Sequence, residues 1–215
     1  TNTGDIKSYQ VLRDIFNQIN IPTFFALGNH DKRSSFNKVF KKINSKKPLF
    51  YNQILEGLNL ITLDTSVPGK ISGAICDEQF KFLNKKLIQN KNFPTIIMMH
   101  HPPMFNKKGP NWISLDEKST NKLQSELEKK EILAIMCGHI HINQTNFWNG
   151  IPVIISNGLY STVDLLNRDD MVILEGKSFN ICYIRENGIG VSVIPLKPKA
   201  KIFRKINLKK LKNLN

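Results

Sequence analysis

The chain has 215 residues, 40% hydrophobic and 22% charged, enough for one domain with a sizeable core, and it has no apolar stretch long enough to span a bilayer. Its three cysteines lack CxxC spacing, which excludes a zinc finger and reads as reduced thiols in a cytoplasmic protein. The net charge of +14 raises nucleic acid or an anionic membrane as a partner, but Lys carries most of it, and Lys spread over solvated helix faces is the simpler reading.

Residues 8–19 place Val11, Leu12, Ile15, Phe16 and Ile19 on a helical stripe, so an amphipathic helix is expected there. Pro22 then opens a predicted strand over 23–27, which delivers Gly28-Asn29-His30-Asp31. After a short basic segment, 50–55 and 58–63 flank the hairpin signal Glu56-Gly57, and Asp64-Thr65-Ser66 follows. Asp77 is the expected N-cap of a helix that buries Phe80, Leu83, Leu87 and Ile88. Pro94 restarts the chain as a strand over 95–99, followed by His100-His101-Pro102-Pro103 and a loop through Gly109-Pro110-Asn111-Trp112. A helix over 117–130 buries Leu123 and Leu127, and the apolar run 132–137 reads as a buried strand ended by Gly138. From Gln144 the pattern is β, with hairpins around Asn149-Gly150 and Asn187-Gly188. Two face-to-face sheets with helices outside accommodate this order.

The five histidines occupy only three places, Asn29-His30-Asp31, His100-His101-Pro102 and His139-Ile140-His141, each just after an apolar run. Ligands of an open α/β sheet gather beyond the carboxyl ends of its strands, so the three clusters are expected to share one metal site. If the segment after Gly138 is extended, His139 and His141 point to the same side.

Gly28-Asn29-His30-Asp31, His100-His101-Pro102-Pro103 and Gly138-His139-Ile140-His141, together with Leu63-Asp64-Thr65-Ser66, Gly69 and Gln79, resemble the calcineurin-like metallophosphoesterases. The closer similarity is to the class III cyclic-nucleotide phosphodiesterase and glycerophosphodiesterase branch. The resemblance implies an α/β fold, the four-layer α/β/β/α sandwich of two mixed sheets. It also implies two divalent transition-metal ions, Mn, Fe or Zn by the neutral N and O donors present, and hydrolysis of a small phosphodiester by a metal-bound hydroxide. One ion would be held by Asn29, His100 and His139, the other partly by His141. His30 would donate a proton to the leaving oxygen or stabilise phosphoryl charge, Asn2 would orient His30, and His101 would orient or hydrogen-bond a loop.

The family's Asp-x-His motif is absent, and Gly4-Asp5 does not match its metal-bridging Gly-Asp: only Thr1-Asn2-Thr3 precedes it, and Asp5 lies 24 residues before Asn29. Asp5 is therefore expected to be a helix-start carboxylate. The start is polar and lacks an initiator Met, so residues are expected to precede Thr1. The chain then reads as a metallophosphoesterase domain over 1–196, without its first strand and helix and with impaired activity, plus a basic tail over 197–215. A weak membrane-surface contact is one expectation for the tail and packing back on the domain the other. A non-catalytic binding relative and a nucleic-acid-binding nuclease relative are the alternatives. The nuclease is disfavoured because the loops lack interleaved aromatics and Arg.

Overall fold

The computed structural model describes residues 1–40, 47–167 and 169–196, so the basic tail lies outside the described residues. Helix α1 (Ile6–Phe16) starts at Asp5, whose carboxylate accepts from the Ser8 N–H at 2.8 Å and the Ser8 hydroxyl at 2.7 Å, the expected helix-start role. The buried stripe is narrower than the sequence suggested. Tyr9 is buried and Leu12 packs inward beside it, whereas Val11 and Ile15 are 55% and 52% exposed.

Helix α2 (Arg33–Phe40) occupies what read as a short basic segment. Its Phe36 and Val39 join Tyr9 and Leu27 in a small core, with the Phe36 ring 5.5 Å edge-on from Tyr9 and 4.5 Å from Phe40. The strand expected over 23–27 is not formed, because no ladder partner lies beside it among the described residues. A side chain satisfies its backbone instead: the Phe25 N–H donates to Tyr51 Oη at 2.7 Å, and the Tyr51 hydroxyl donates back to the Phe25 carbonyl at 3.0 Å.

Strands β1 (Tyr51–Leu55) and β2 (Leu58–Thr62) form the expected hairpin, with Glu56 at φ 49° and Gly57 at φ 81°, the left-handed pair that a two-residue turn requires. Helix α3 (Asp77–Gln89) is capped by Cys76, one residue before the expected cap, leaving Asp77 to pair with Lys122 at 2.7 Å. Strand β3 (Thr95–Met98), helix α4 (Glu117–Leu127) and strand β4 (Ile132–Cys137) follow, then β5 (Gln144–Trp148) and β6 (Ile151–Ile155) around the second expected hairpin. The third hairpin, β9 (Ser178–Arg185) with β10 (Gly188–Pro195), also forms. A short ladder of β7 (Ser161–Val163) and β8 (Ile173–Glu175) has no sequence counterpart.

The mixed α/β architecture is the expected one. Its main sheet has the order β1-β2-β3-β4-β6-β5, with β2, β3, β4 and β6 mutually parallel. Ile61, Leu63, Ile97, Met99, Ile135, Val153 and Ile155 form one buried face, closed by Phe80, Leu83 and Leu87 of α3 and Leu123 and Leu127 of α4. The parallel strands deliver their carboxyl ends to one edge. There Met99 N–H bonds to the Met136 carbonyl and Gly138 N–H to the His100 carbonyl, each at 3.0 Å, holding the two histidine segments side by side.

Candidate metal centre

His139 is not on an extended segment. Its φ is 74° and the Ile140 N–H closes a 2.9 Å bond to the Gly138 carbonyl, so it sits at the centre of a γ-turn of the strained, positive-φ kind. His141 is also left-handed, at φ 54°. The expectation that both rings share a side because two extended residues do is therefore wrong. His139 turns toward His100 after β3 and toward the turn that carries Asn29, and His141 turns to Ser161, whose Oγ is 3.0 Å from its Nδ1.

Three atoms with lone pairs meet at the sheet edge. His100 Nε2 lies 2.9 Å from Asn29 Oδ1, His139 Nδ1 lies 3.2 Å from the same oxygen, and the two nitrogens are 3.2 Å apart. Ligands bound at about 2.0–2.2 Å to a single cation are separated by roughly 3 Å when they subtend about a right angle. The triangle fits one ion. The donor set agrees, since two imidazole nitrogens and an amide oxygen suit a borderline transition metal.

The hydrogen bonds around the triangle fix which atoms are available. His139 Nε2 lies 2.7 Å from the Trp112 carbonyl, an acceptor only, so it carries the hydrogen and leaves Nδ1 bare. His101 is fully buried, and its ring nitrogen lies close to those of His100 and His139, within a group spanning 4.8 Å. Proximity is not availability here. His101 Nε2 is 2.9 Å from the Ile71 carbonyl and its Nδ1 is 2.8 Å from Thr65 Oγ1, so both nitrogens are occupied and the ring buttresses its neighbours. It stands edge-on to His100 at 4.8 Å and 4.3 Å from His139.

Burial, reinforced by the neighbouring imidazoles, holds His100 well below the ordinary histidine range. Burial also lowers His101 to about 3, and lowers His139 against the opposing pull of the Trp112 carbonyl. All three rings are thus neutral near pH 7, as ligation requires.

Two small residues admit the rings. A Cβ on Gly28 would meet the His100 ring at 2.7 Å, and one on Gly73 would meet His101 at 2.5 Å. A Cβ on Gly138 would meet the His100 ring at an ordinary 3.6 Å.

Sequence reasoning missed the carboxylates that hold these loops. Asp31 Oδ1 accepts from the Tyr9 hydroxyl at 2.5 Å and Oδ2 from the Gly28 N–H at 2.9 Å, tying α1 to the turn that carries Asn29. Asp64 is fully buried. It accepts from Arg33 Nε and the Leu49 N–H at 2.8 Å each, and from the Ser66 hydroxyl at 2.5 Å, while the Gln79 amide clamps its backbone with two 2.8 Å bonds. This fixes the turn that presents Thr65 to His101. His30 is exposed, near enough to depress proton binding at His100 and His139. Asn2 is exposed as well, and no hydrogen bond joins it to His30 among the described residues.

Residues 1–143 match the family model described as calcineurin-like phosphoesterase. The chain is 29% identical over 208 residues to a probable cyclic nucleotide phosphodiesterase of Rhodococcus erythropolis, covering 91% of this chain and 67% of that protein. It is 28% identical over 205 residues to a cAMP/cGMP dual specificity phosphodiesterase of Mycobacterium tuberculosis, covering 90% and 63%. A probable glycerophosphodiester phosphodiesterase of Arcobacter nitrofigilis is 24% identical over 165 residues, covering 72% and 58%. The chain thus spans about 58–67% of the length of these relatives. Among solved structures, GAP50, the anchor in the inner membrane complex of Plasmodium, superposes with a TM-score of 0.56 at 17% identity, covering 87% of this chain and 66% of that one, a likeness of fold alone. The Asn29, His100 and His139 triangle at the carboxyl edge of a mixed sheet, together with the match over two-thirds of its length, places this chain in the calcineurin-like phosphoesterase family.

Proposed function

We propose that the protein hydrolyses a small phosphodiester, a 3',5'-cyclic nucleotide or a related diester, at a metal centre built on the carboxyl edge of the main sheet within a domain over 1–196. The observation that supports this reading is the convergence of Asn29 Oδ1, His100 Nε2 and His139 Nδ1 within the reach of one cation. The names of the relatives point the same way. A divalent transition metal would be held there by Asn29, His100 and His139, and a second ion partly by His141; when bound they would supply Lewis acidity and a more acidic water.

The chain's own residues do the rest. Asn29, His100 and His139 hold the first ion with neutral donors, so the site keeps the net positive charge that an anionic diester needs. His30, exposed beside Asn29, protonates the leaving oxygen or stabilises charge on the phosphoryl group. His101 positions His100 and His139 from behind and touches no substrate. Asn2 orients His30 when the substrate is bound. The free cysteines fit a reducing compartment such as the cytoplasm, and among the described residues no helix is long and apolar enough to cross a membrane.

The test is Mn-dependent hydrolysis of cyclic AMP and bis(p-nitrophenyl) phosphate by the protein, His30→Ala and His139→Ala. General acid catalysis contributes about 10²–10⁴-fold, so His30→Ala is expected to lose rate in that range while retaining Mn, and His139→Ala to lose Mn as well. Turnover indifferent to both substitutions would end the proposal. Mn binding without turnover would favour a non-catalytic binding relative.

A further inference from the structure

The β7–β8 ladder, which no sequence pattern announced, lies against one histidine of the site. Ser161 Oγ is 3.0 Å from His141 Nδ1, and the Thr162 hydroxyl donates to the His141 carbonyl at 2.9 Å, so consecutive residues of β7 hold the ring and the backbone of one residue. Both are themselves fixed. Ser161 is buried and pairs with Glu175 of β8, and Gly176, just past β8, makes room for Thr162, whose Cγ2 an added Cβ would meet at 2.4 Å. Gly158 packs close as well: a Cβ there would come within 3.0 Å of the Ser161 carbonyl and 3.4 Å of His141 Nδ1. Two residues past His141, Asn143 Oδ1 accepts from the Asn157 N–H at 3.0 Å while its Nδ2 donates to Ser178 Oγ at 2.8 Å.

What these contacts hold is an unfavourable conformation. His141 has φ 54°, in the left-handed region that a side chain resists, and a residue stays there only when its surroundings over-determine it. Its ring is tied at one end only. Ser161 is at Nδ1, and among the described residues Nε2 has no hydrogen-bond partner. A histidine ready for a metal has this form, one nitrogen tied by the hydrogen bond that sets tautomer and orientation, the other bare. His139 divides its nitrogens the same way, with Nε2 tied to the Trp112 carbonyl and Nδ1 in the triangle. The His141 ring also lies near enough to oppose proton binding at His100 and His139.

We propose that Ser161 is a positioning residue for the second ion: its hydroxyl oxygen accepts from His141 Nδ1–H, which leaves Nε2 bare for a divalent cation. The inference rests on the metal centre of the proposed function and adds to it a residue outside the three histidine clusters. Ser161 acts through His141 and touches neither metal nor substrate.

Long-range nitrogen–proton correlation spectra of the isotope-labelled, metal-free protein at pH 8 report which nitrogen of each ring carries the hydrogen, and His141→Gln identifies the His141 signals by their loss. The parent is expected to carry the His141 hydrogen on Nδ1. Ser161→Ala is expected to move it to Nε2 and Ser161→Thr, which keeps a hydroxyl, to restore it, with the His100 and His139 signals unchanged in both. In Mn calorimetry, Ser161→Ala is expected to weaken roughly 10–100-fold the binding step that His141→Gln removes, and to leave the step that needs His139 within about twofold of the parent. A parent ring with its hydrogen on Nε2 would overturn the proposal, as would Mn binding indifferent to His141→Gln or to Ser161→Ala. Displaced His100 and His139 signals in both Ser161 variants would assign the hydroxyl to the fold alone and overturn it too. The two readings separate cleanly. A protein that hydrolyses no diester yet shows the Nδ1–H ring and Ser161-dependent Mn binding loses the phosphodiesterase reading and keeps this one. A protein that hydrolyses cyclic AMP with the His141 hydrogen on Nε2 does the reverse.

Discussion

Mild acid should weaken the fold through His101. The ring is fully buried, its Nε2–H donates to the Ile71 carbonyl and its Nδ1 accepts from Thr65, which leaves no place for a second proton. Its folded pKa is about 3 against an ordinary 6.5. Below pH 6.5 the unfolded chain binds a proton that the folded chain refuses, so stability falls as pH falls, and the loss continues until the folded ring protonates near pH 3. At pH 5 the unfolded ring lies 1.5 pH units below its pKa, and at 1.36 kcal/mol per unit the loss is about 2 kcal/mol relative to pH 8. Asp5, Asp77 and Glu117 also lose stabilisation as pH falls, but that loss starts at their ordinary values of 3.8, 3.8 and 4.5, where the unfolded chain takes up the proton, and so lies mostly below pH 5. The assay is urea unfolding at pH 8 and pH 5 with EDTA present, for the parent and for His101→Gln. The variant loses two buried hydrogen bonds and is less stable at both pH values, but its drop between them should be smaller by about 2 kcal/mol, roughly 1 M in urea midpoint. His139 and the burial of His100 contribute to the drop in both proteins, and the part of the His100 shift that comes from His101 is counted with His101. An equal drop in the two proteins would refute the reasoning, because His101 would then be taking up its proton in the folded state.

Gly28→Ala should displace His100, because the new Cβ would lie 2.7 Å from its ring, and Mn affinity by calorimetry should fall at least tenfold; Gly138→Ala, with 3.6 Å to spare, should leave it unchanged. Asn29→Ala removes the only oxygen of the triangle, and the Mn-dependent rise in melting temperature over the EDTA-treated protein should shrink or vanish. Asp64→Ala strands the Arg33 guanidinium, whose partner carboxylate is fully buried. Loss of one partner of such a pair costs about 3–5 kcal/mol, so the melting temperature should drop by roughly 10 °C.

What was legible in the sequence is what repeats along it. Asn29, His100 and His139 were brought together on paper because each follows an apolar run, and residues just past the carboxyl ends of parallel strands share an edge. The hairpins at Glu56-Gly57 and Asn149-Gly150 carry their left-handed turn residues openly. Helix α2 was missed although Phe36, Val39 and Phe40 stand at i, i+3 and i+4, because Arg33 and Lys38 made the segment read as a solvated basic stretch. The run over 23–27 has strand composition and lacks a strand beside it, and a sheet hydrogen bond takes two chains. The same limit explains α1: periodicity locates an apolar stripe, but only the neighbours decide that Tyr9 is covered and that Val11 is not.

The pair His100-His101 shows where pattern stops and chemistry begins. Residue type and position do not separate adjacent imidazoles after one strand, only the family resemblance favours His100, and both have ring nitrogens near His139. Counting hydrogen bonds separates them. His101 has a partner on each nitrogen, one of them the carbonyl of Ile71, a group that every residue carries and no motif can announce. His100 directs Nε2 at Asn29 Oδ1 and His139 Nδ1, its side-chain polar neighbours among the described residues. The same count applies to His139, whose Nε2–H is committed to the Trp112 carbonyl and whose Nδ1 is therefore the nitrogen left for a metal. A buried ring with both nitrogens satisfied costs energy to turn toward a metal, whereas a ring facing other lone pairs gains by receiving one. The loops after β2 and before α4 thus decide which histidine nitrogens stay free for a metal, through backbone carbonyls alone.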